Sequence, residues 1–337
     1  MNFFLSLTAI FIWANSSVAE TTKTIKVGVS PVMSTAGVFI AFEKGYFKEA
    51  GLNVELLSFD SSGAAMTPLL GKGELDVGAG NISTGLINAI LEGLAIKLVA
   101  DKGHSPPGDG YMGLIVRSDH IKNGRYKTLK DLKGFKIGLT SLGGVSQQIL
   151  FEKFLAKALL KSTDIEYLKL SYPEMNLALD KKEIDATIQL EPLISQAESR
   201  GLAQKVADAS EVYPEQQSGA LFYSAEFAKR ETEATAFMGA YLKGVRDYNS
   251  AFVAKNPINR EQMISLLDKH LKLQPNDLWK KVRPVGLNPN GDLNVEFLKN
   301  DLAWYKEKNY IKKIPSIEQI IDSKFVERAL VQIGKTK

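Results

Sequence analysis

Apolar residues fall in short runs, each followed by a longer stretch in which they recur every three or four positions. Ile25–Ser30, Val54–Phe59, Leu75–Ala79 and Ala95–Ala100 have the length of buried strands. Between the first two, Thr35–Glu49 sets Val38, Phe39, Phe42, Tyr46 and Phe47 on one helical face, and Gly51 supplies the stop. Ser61 and Ser62 are placed to cap a helix carrying Met66, Leu69 and Leu70, and Ile82–Glu92 predicts the helix behind the third strand. Strand and helix alternate, which predicts an α/β lobe.

The pattern then repeats about 110 residues further on. Ile25-Lys26-Val27-Gly28-Val29-Ser30 is answered by Phe135-Lys136-Ile137-Gly138-Leu139-Thr140, and Phe42-Glu43-Lys44 by Phe151-Glu152-Lys153. Asn53-Val54-Glu55-Leu56 matches Asp164-Ile165-Glu166-Tyr167, and Lys72–Val77 matches Lys181–Ala186. The clearest helix of the second copy is predicted over 145–160, with Val145, Ile149, Leu150, Phe154, Ala158 and Leu159 at helical spacing. Two similar lobes imply a cleft between them.

His104-Ser105-Pro106-Pro107-Gly108-Asp109-Gly110 is the densest group of chain breakers and reads as a loop. Tyr111–Val116 reads as a strand leaving lobe one, and Ser218–Tyr223 as a strand running back to it. Two crossings make a hinge, and closure around a ligand is the usual motion of that shape. Beyond them the chain turns helical. Ala234, Phe237, Met238, Tyr241, Leu242, Val245, Tyr248 and Phe252 mark one long helix, and shorter ones follow near 259–270, 295–308 and 323–333. This tail is expected to pack on lobe one.

A length of 337 residues suits two lobes better than one core. The 42 basic and 38 acidic residues leave a net charge of +4, and no basic run with interleaved aromatics suggests nucleic acid. Phe3–Trp13 is an apolar run of 11 residues that precedes the small residues Asn15-Ser16-Ser17-Val18-Ala19. That order reads as an export signal with cleavage after Ala19, the alternative being a buried N-terminal helix. It is too short for the ~20 residues of a membrane-spanning helix, so no membrane anchor is expected. The chain has no cysteine, which excludes disulfides and thiol chemistry, and a periplasm is the consistent compartment. The expected division is a signal over 1–19, lobe one over 20–112, lobe two over 113–219, and a return strand with helical tail over 220–337.

Ligands of open α/β sheets sit beyond the carboxyl ends of the strands. Four such turns follow from the duplication, at Ser30–Thr35, Gly80–Ser83, Thr140–Ser146 and Gln189–Pro192, and all should face one cleft. The helix starts there offer free N–H groups to a sulfonate, carboxylate or phosphate, and Ser34, Thr35, Ser83 and Ser146 add hydroxyls. Each is also an ordinary cap when taken alone. Glu191 reads either as a carboxylate serving a helix start or as an acceptor for a ligand amine. No Lys or Arg stands in the four turns, whereas Met33, Leu142, Leu190 and Tyr111 suggest an organic ligand with apolar surface. His104, His120 and His270 are too far apart in sequence to suggest a metal or a catalytic triad; surface exposure is expected of His104.

Phe42-Glu43-Lys44-Gly45-Tyr46-Phe47 with Gly51-Leu52-Asn53-Val54-Glu55, Gly73-Glu74-Leu75-Asp76-Val77-Gly78, Leu129–Gly134 with Ile137-Gly138, and Asp185-Ala186 with Glu191-Pro192 resemble bacterial solute-binding proteins of the nitrate/sulfonate/taurine type. The resemblance covers roughly 24–250. It implies a type II periplasmic binding fold, two duplicated lobes joined by a two-strand hinge, which delivers a solute to the permease of an ABC importer. Carried over by position, the ligand-binding turns fall on Met33-Ser34-Thr35, Asn81-Ile82-Ser83, Gly144-Val145-Ser146-Gln147 and Leu190-Glu191, with Tyr111 beside them. The family often has Trp where Leu190 stands. A related branch binds pyrimidine precursors of thiamine, and its eukaryotic relatives use a Cys-rich motif that this chain lacks.

The expectation is a monomeric periplasmic carrier, without cofactor or metal, for a small organic anion or zwitterion such as a sulfonate. Alternatives are a carrier of a pyrimidine or flavin-type vitamin precursor, an enzyme on the same scaffold, and a sensor module.

Overall fold

The structure, a computed structural model, describes residues 23–59, 65–108 and 110–336. The proposed export signal and the Ser61-Ser62 cap lie outside them. Among the described residues ten strands form two five-stranded sheets. They are β1 (Ile25–Val29), β2 (Val54–Ser58), β3 (Val77–Asn81), β4 (Lys97–His104), β5 (Met112–Arg117), β6 (Lys136–Leu139), β7 (Glu166–Lys169), β8 (Ala186–Leu190), β9 (Ala203–Asp208) and β10 (Gln217–Tyr223).

The sheets have orders β2-β1-β3-β10-β4 and β7-β6-β8-β5-β9, the same place by place. Register repeats with them. Val27 pairs with Val77 as Ile137 pairs with Ala186, and Lys26 pairs with Glu55 as Lys136 pairs with Glu166. The two acids of the repeated motif do identical work. Asp76 accepts the Lys26 N–H at 2.9 Å, and Asp185 accepts that of Lys136 at 2.9 Å, each tying a strand start to its neighbour.

β10 runs antiparallel between β3 and β4, and β5 antiparallel between β8 and β9, so each lobe holds a strand reached through the other. The crossings lie side by side: the Ser105 N–H donates to Gln216 O at 3.1 Å and the Glu215 N–H to Ser105 O at 2.7 Å. This is the expected two-strand hinge. The carboxyl ends of β1, β3 and β4 meet those of β6, β8 and β9 across the cleft.

Several boundaries differ from expectation. The helix expected over 35–49 is a 3-10 turn Met33–Thr35 followed by Ala36–Glu43 and Tyr46–Glu49, broken at Gly45, whose φ of +76° no L-residue adopts readily. β4 continues past Ala100 to His104. The long tail helix is Glu231–Tyr248.

The tail is not confined to lobe one. Glu231–Tyr248 lies on Ala36–Glu43, as expected, and Lys324–Ile333 lies on Glu231–Tyr248. Val295–Glu307, however, touches lobe two at Ser146–Lys157. Tyr310 links both lobes, its carbonyl accepting Asn88 Nδ2 at 2.9 Å and its hydroxyl accepting Gln148 Nε2 at 3.1 Å. No helix among the described residues is long and apolar enough to cross a membrane.

Candidate functional site

The four turns meet in two pairs. Met33 N–H of the first donates to Glu191 O of the fourth at 3.2 Å. Ser83 of the second forms an antiparallel bridge with Val145 of the third. Duplication equates first with third and second with fourth, so meeting crosswise is what a local two-fold axis requires.

At the second pair the lobes touch directly. The Thr84 N–H and hydroxyl both donate to Gly144 O at 3.0 Å, and the hydroxyl also lies against Gly143 O. The start of helix Thr84–Leu91, expected to greet an anion, therefore greets a carbonyl of the opposite lobe. Ser83 is its ordinary cap, its Oγ accepting the Leu86 N–H at 3.3 Å.

Between the pairs a cavity of about 170 Å³ remains. Lobe one lines it with Ser30, Pro31, Val32, Gly80, Asn81, Lys102 and Leu271, and lobe two with Tyr172, Pro173, Pro192, Leu193 and Gln196. It is smaller than the ~300–1,000 Å³ of drug-sized sites, which suits a guest of few atoms. Asn81 Nδ2 donates to the Tyr172 hydroxyl at 3.2 Å, a polar tie across the cleft at the cavity wall.

Lys102 is the residue that the turns did not announce. Its side chain comes from β4, is wholly covered, and donates to Ser34 Oγ at 2.9 Å. Burial pushes its ammonium down to about 7, against the pull of the neighbouring Asp101. The cationic partner missing from the four turns is thus supplied by a strand. The signal lay in Asp101-Lys102 prolonging the apolar run Leu98-Val99-Ala100, since a charged pair inside a buried strand needs a reason.

Other candidates serve the scaffold around the cavity. Gln147 accepts the Thr140 N–H at 2.8 Å and hydroxyl at 2.9 Å and donates to Ile188 O at 2.6 Å. The Tyr111 hydroxyl shares a 2.5 Å hydrogen bond with Ser218 Oγ. Ile82 is core and donates its N–H to Ser218 O, and Leu190 is buried in β8 opposite Met112. Among the described residues, the buried hydroxyls of Thr35 and Ser146 have no hydrogen-bond partner. Leu142 is exposed on lobe two.

The Glu191 carboxylate is enclosed and engaged. It accepts the Ser195 N–H and hydroxyl, both at 3.1 Å, and Arg283 Nη1 at 3.0 Å. Burial raises its pKa, although Ser195 and Arg283 work the other way. It serves the start of helix Leu193–Ser199, the plainer of its two readings, and joins lobe two to the tail.

His104, expected at the surface, is largely covered beside Gly286, with Nδ1 3.3 Å from Asp101. Burial alone would lower its pKa; Asp101 and Glu215 outweigh that and hold it up. Among the described residues no group of three or more His, Cys, Asp or Glu is arranged to hold a metal.

Comparison with known proteins places this geometry. The model of the NMT1-like family matches residues 18–267. A Brucella abortus protein named as a candidate binding protein is 27% identical over 75% of this chain and 73% of its own. An Escherichia coli protein named as a candidate aliphatic-sulfonates-binding protein is 29% identical over 63% of this chain and 60% of its own. The periplasmic nitrate-binding protein NrtA of Synechocystis superposes with a TM-score of 0.74 at 14% identity, covering 93% of this chain and 90% of that one. The fold is that of periplasmic binding proteins, two α/β lobes with a helical C-terminal region.

Proposed function

This chain belongs to the NMT1-like family, and from that membership and its cleft we propose that it captures a small organic anion, such as a sulfonate, for an ABC importer. The observation that carries the reading is a cavity walled by both lobes with a buried amine in it. A guest there completes the contact between lobes, so binding and closure are one event. The closed form is what a permease would recognise. Export to the periplasm, and a lobe two running over about 113–219, belong to the same proposal.

A relative is named for sulfonates and a structural neighbour for nitrate, and both names point to anions. The apolar walls Pro31, Val32, Pro173, Leu193 and Leu271 favour a guest with a short carbon body over a bare inorganic ion. Lys102 weighs against a neutral pyrimidine. Lys102 and Tyr172 are the ionisable residues of the lining.

Differential scanning fluorimetry against alkanesulfonates, short carboxylates, nitrate, pyrimidines and flavin precursors tests this. A ligand bound only by the native state raises the melting point, by an amount set by RT ln(1 + [L]/Kd). Alkanesulfonates or carboxylates should produce the largest shift. A shift confined to the neutral compounds, or none with any compound, overturns the reading.

A further inference from the structure

Lys102 does more than fill the cavity wall. Its stem runs over Gly219 of β10, where an added Cβ would stand 3.1 Å from Lys102 Cδ, so the neighbouring strand leaves room for a lysine at this place. Among the described residues no carboxylate comes within ion-pair range of Nζ. Asp101, next in the strand, is held by the N–H groups of Gly103 and Asn288 and by Gln217 Nε2. His104 is tied to that same Asp101, and Tyr172, across the cavity, is engaged with Asn81. In the first turn, Ser34 Oγ accepts from Nζ at 2.9 Å.

We propose that Lys102 is the charge-selecting residue of the cavity, and that an anion seating against its Nζ draws a proton onto the amine. This rests on the cavity being the solute site. A buried ammonium without a counter-ion is costly, so the empty cavity favours the neutral amine. Its displacement to about 7 agrees. Ser34 suits either state, because a hydroxyl can accept from an ammonium or donate to an amine. An anion supplies the missing counter-charge. The balance is a neutral amine, one proton from solvent and the anion on one side, and the ammonium–anion pair on the other.

Isothermal titration decides the matter, with ethanesulfonate and butyrate as probes and ethanesulfonamide and butyramide as uncharged counterparts. Runs at pH 8 in Tris and in triethanolamine separate buffer ionisation heat from binding heat. The wild-type protein should take up close to one proton per anion at pH 8 and almost none at pH 6. It should also prefer each anion to its amide. Lys102→Met should abolish the uptake and weaken the anion preference about 10–100-fold. Lys102→Arg, always charged, should restore the preference without the uptake. If the anions bind wild-type protein with no proton uptake, or Lys102→Met keeps the preference, Lys102 is not the selector and the cavity reading stands. If neither anions nor amides bind, the cavity reading fails and this inference with it.

Discussion

Gly144 O lies 3.0 Å from both the backbone nitrogen and the hydroxyl of Thr84, which makes this carbonyl a point of direct contact between lobe two and lobe one. Gly144 has φ of +90°, and a Cβ added there would run into Thr84 Cγ2 and come within 2.8 Å of Tyr310 Cδ2. Gly144→Ala should therefore wedge the cleft. Expected are affinity for the best-binding probe at least ~10-fold lower, through a binding-competent state that is rarely populated, and a scattering radius that no longer shrinks on adding it. Unchanged compaction would mean that closure does not pass through this contact.

Arg283→Met strips a guanidinium from a carboxylate that has no exposure of its own. Removing one partner of a buried pair costs ~3–5 kcal/mol, read from urea unfolding at pH 7.5. The deficit should shrink when unfolding is repeated at lower pH, because burial raises the Glu191 pKa and protonation removes its uncompensated charge. Glu191→Gln should cost less, about 1 kcal/mol, since Ser195 keeps an acceptor. Equal losses for both variants at both pH values would contradict this assignment.

Lys102 sets a second pH dependence. An amine whose folded pKa is depressed penalises the fold fully below that value, and the penalty fades as pH rises toward the unfolded one. Between pH 7 and 10 it should add roughly 1 kcal/mol per unit to stability. Lys102→Met removes that slope and should be the more stable protein at pH 6. Parallel profiles for the two proteins would refute the buried-amine account.

Asp301 has the opposite sign. It is fully buried, accepts the Tyr213 hydroxyl at 2.7 Å, and burial pushes its carboxyl up to about 7 against that hydrogen bond. Its favourable share is intact below the unfolded value near 4 and is lost as pH climbs to 7. Asp301→Asn keeps an acceptor for Tyr213 and cannot ionise. Its stability should lose the fall between pH 4 and 7 that the wild type shows, measured by chemical unfolding across that range.

Fold and site differed in how far the chain betrayed them. Local periodicity and the Lys26–Lys136 and Asp76–Asp185 correspondences disclosed strands, lobes and cleft, because each depends on neighbours in sequence or on the repeat. The crosswise meeting of the turns follows from the same symmetry. Lys102 left one local mark, a charged pair prolonging an apolar run, but its partner Ser34, like Glu191 for Arg283 and Gln148 for Tyr310, stands dozens to hundreds of positions away and was not legible. The helix break at Gly45 shows the other limit, where an unbroken apolar stripe conceals a change of backbone hand.

The exchanged strands β5 and β10 also govern how the molecule can be assembled. As the chain lengthens from its amino end, β3 and β4 must wait for residues 217–223 to fill the gap between them, so the first lobe is completed last. Interrupting the polypeptide anywhere between Arg117 and Gln217 would deprive the first half of β10, the strand that joins β3 to β4, rather than liberate a self-sufficient module. Whatever escorts the nascent protein therefore meets a second lobe whose five strands are all present while the first still lacks one of its own.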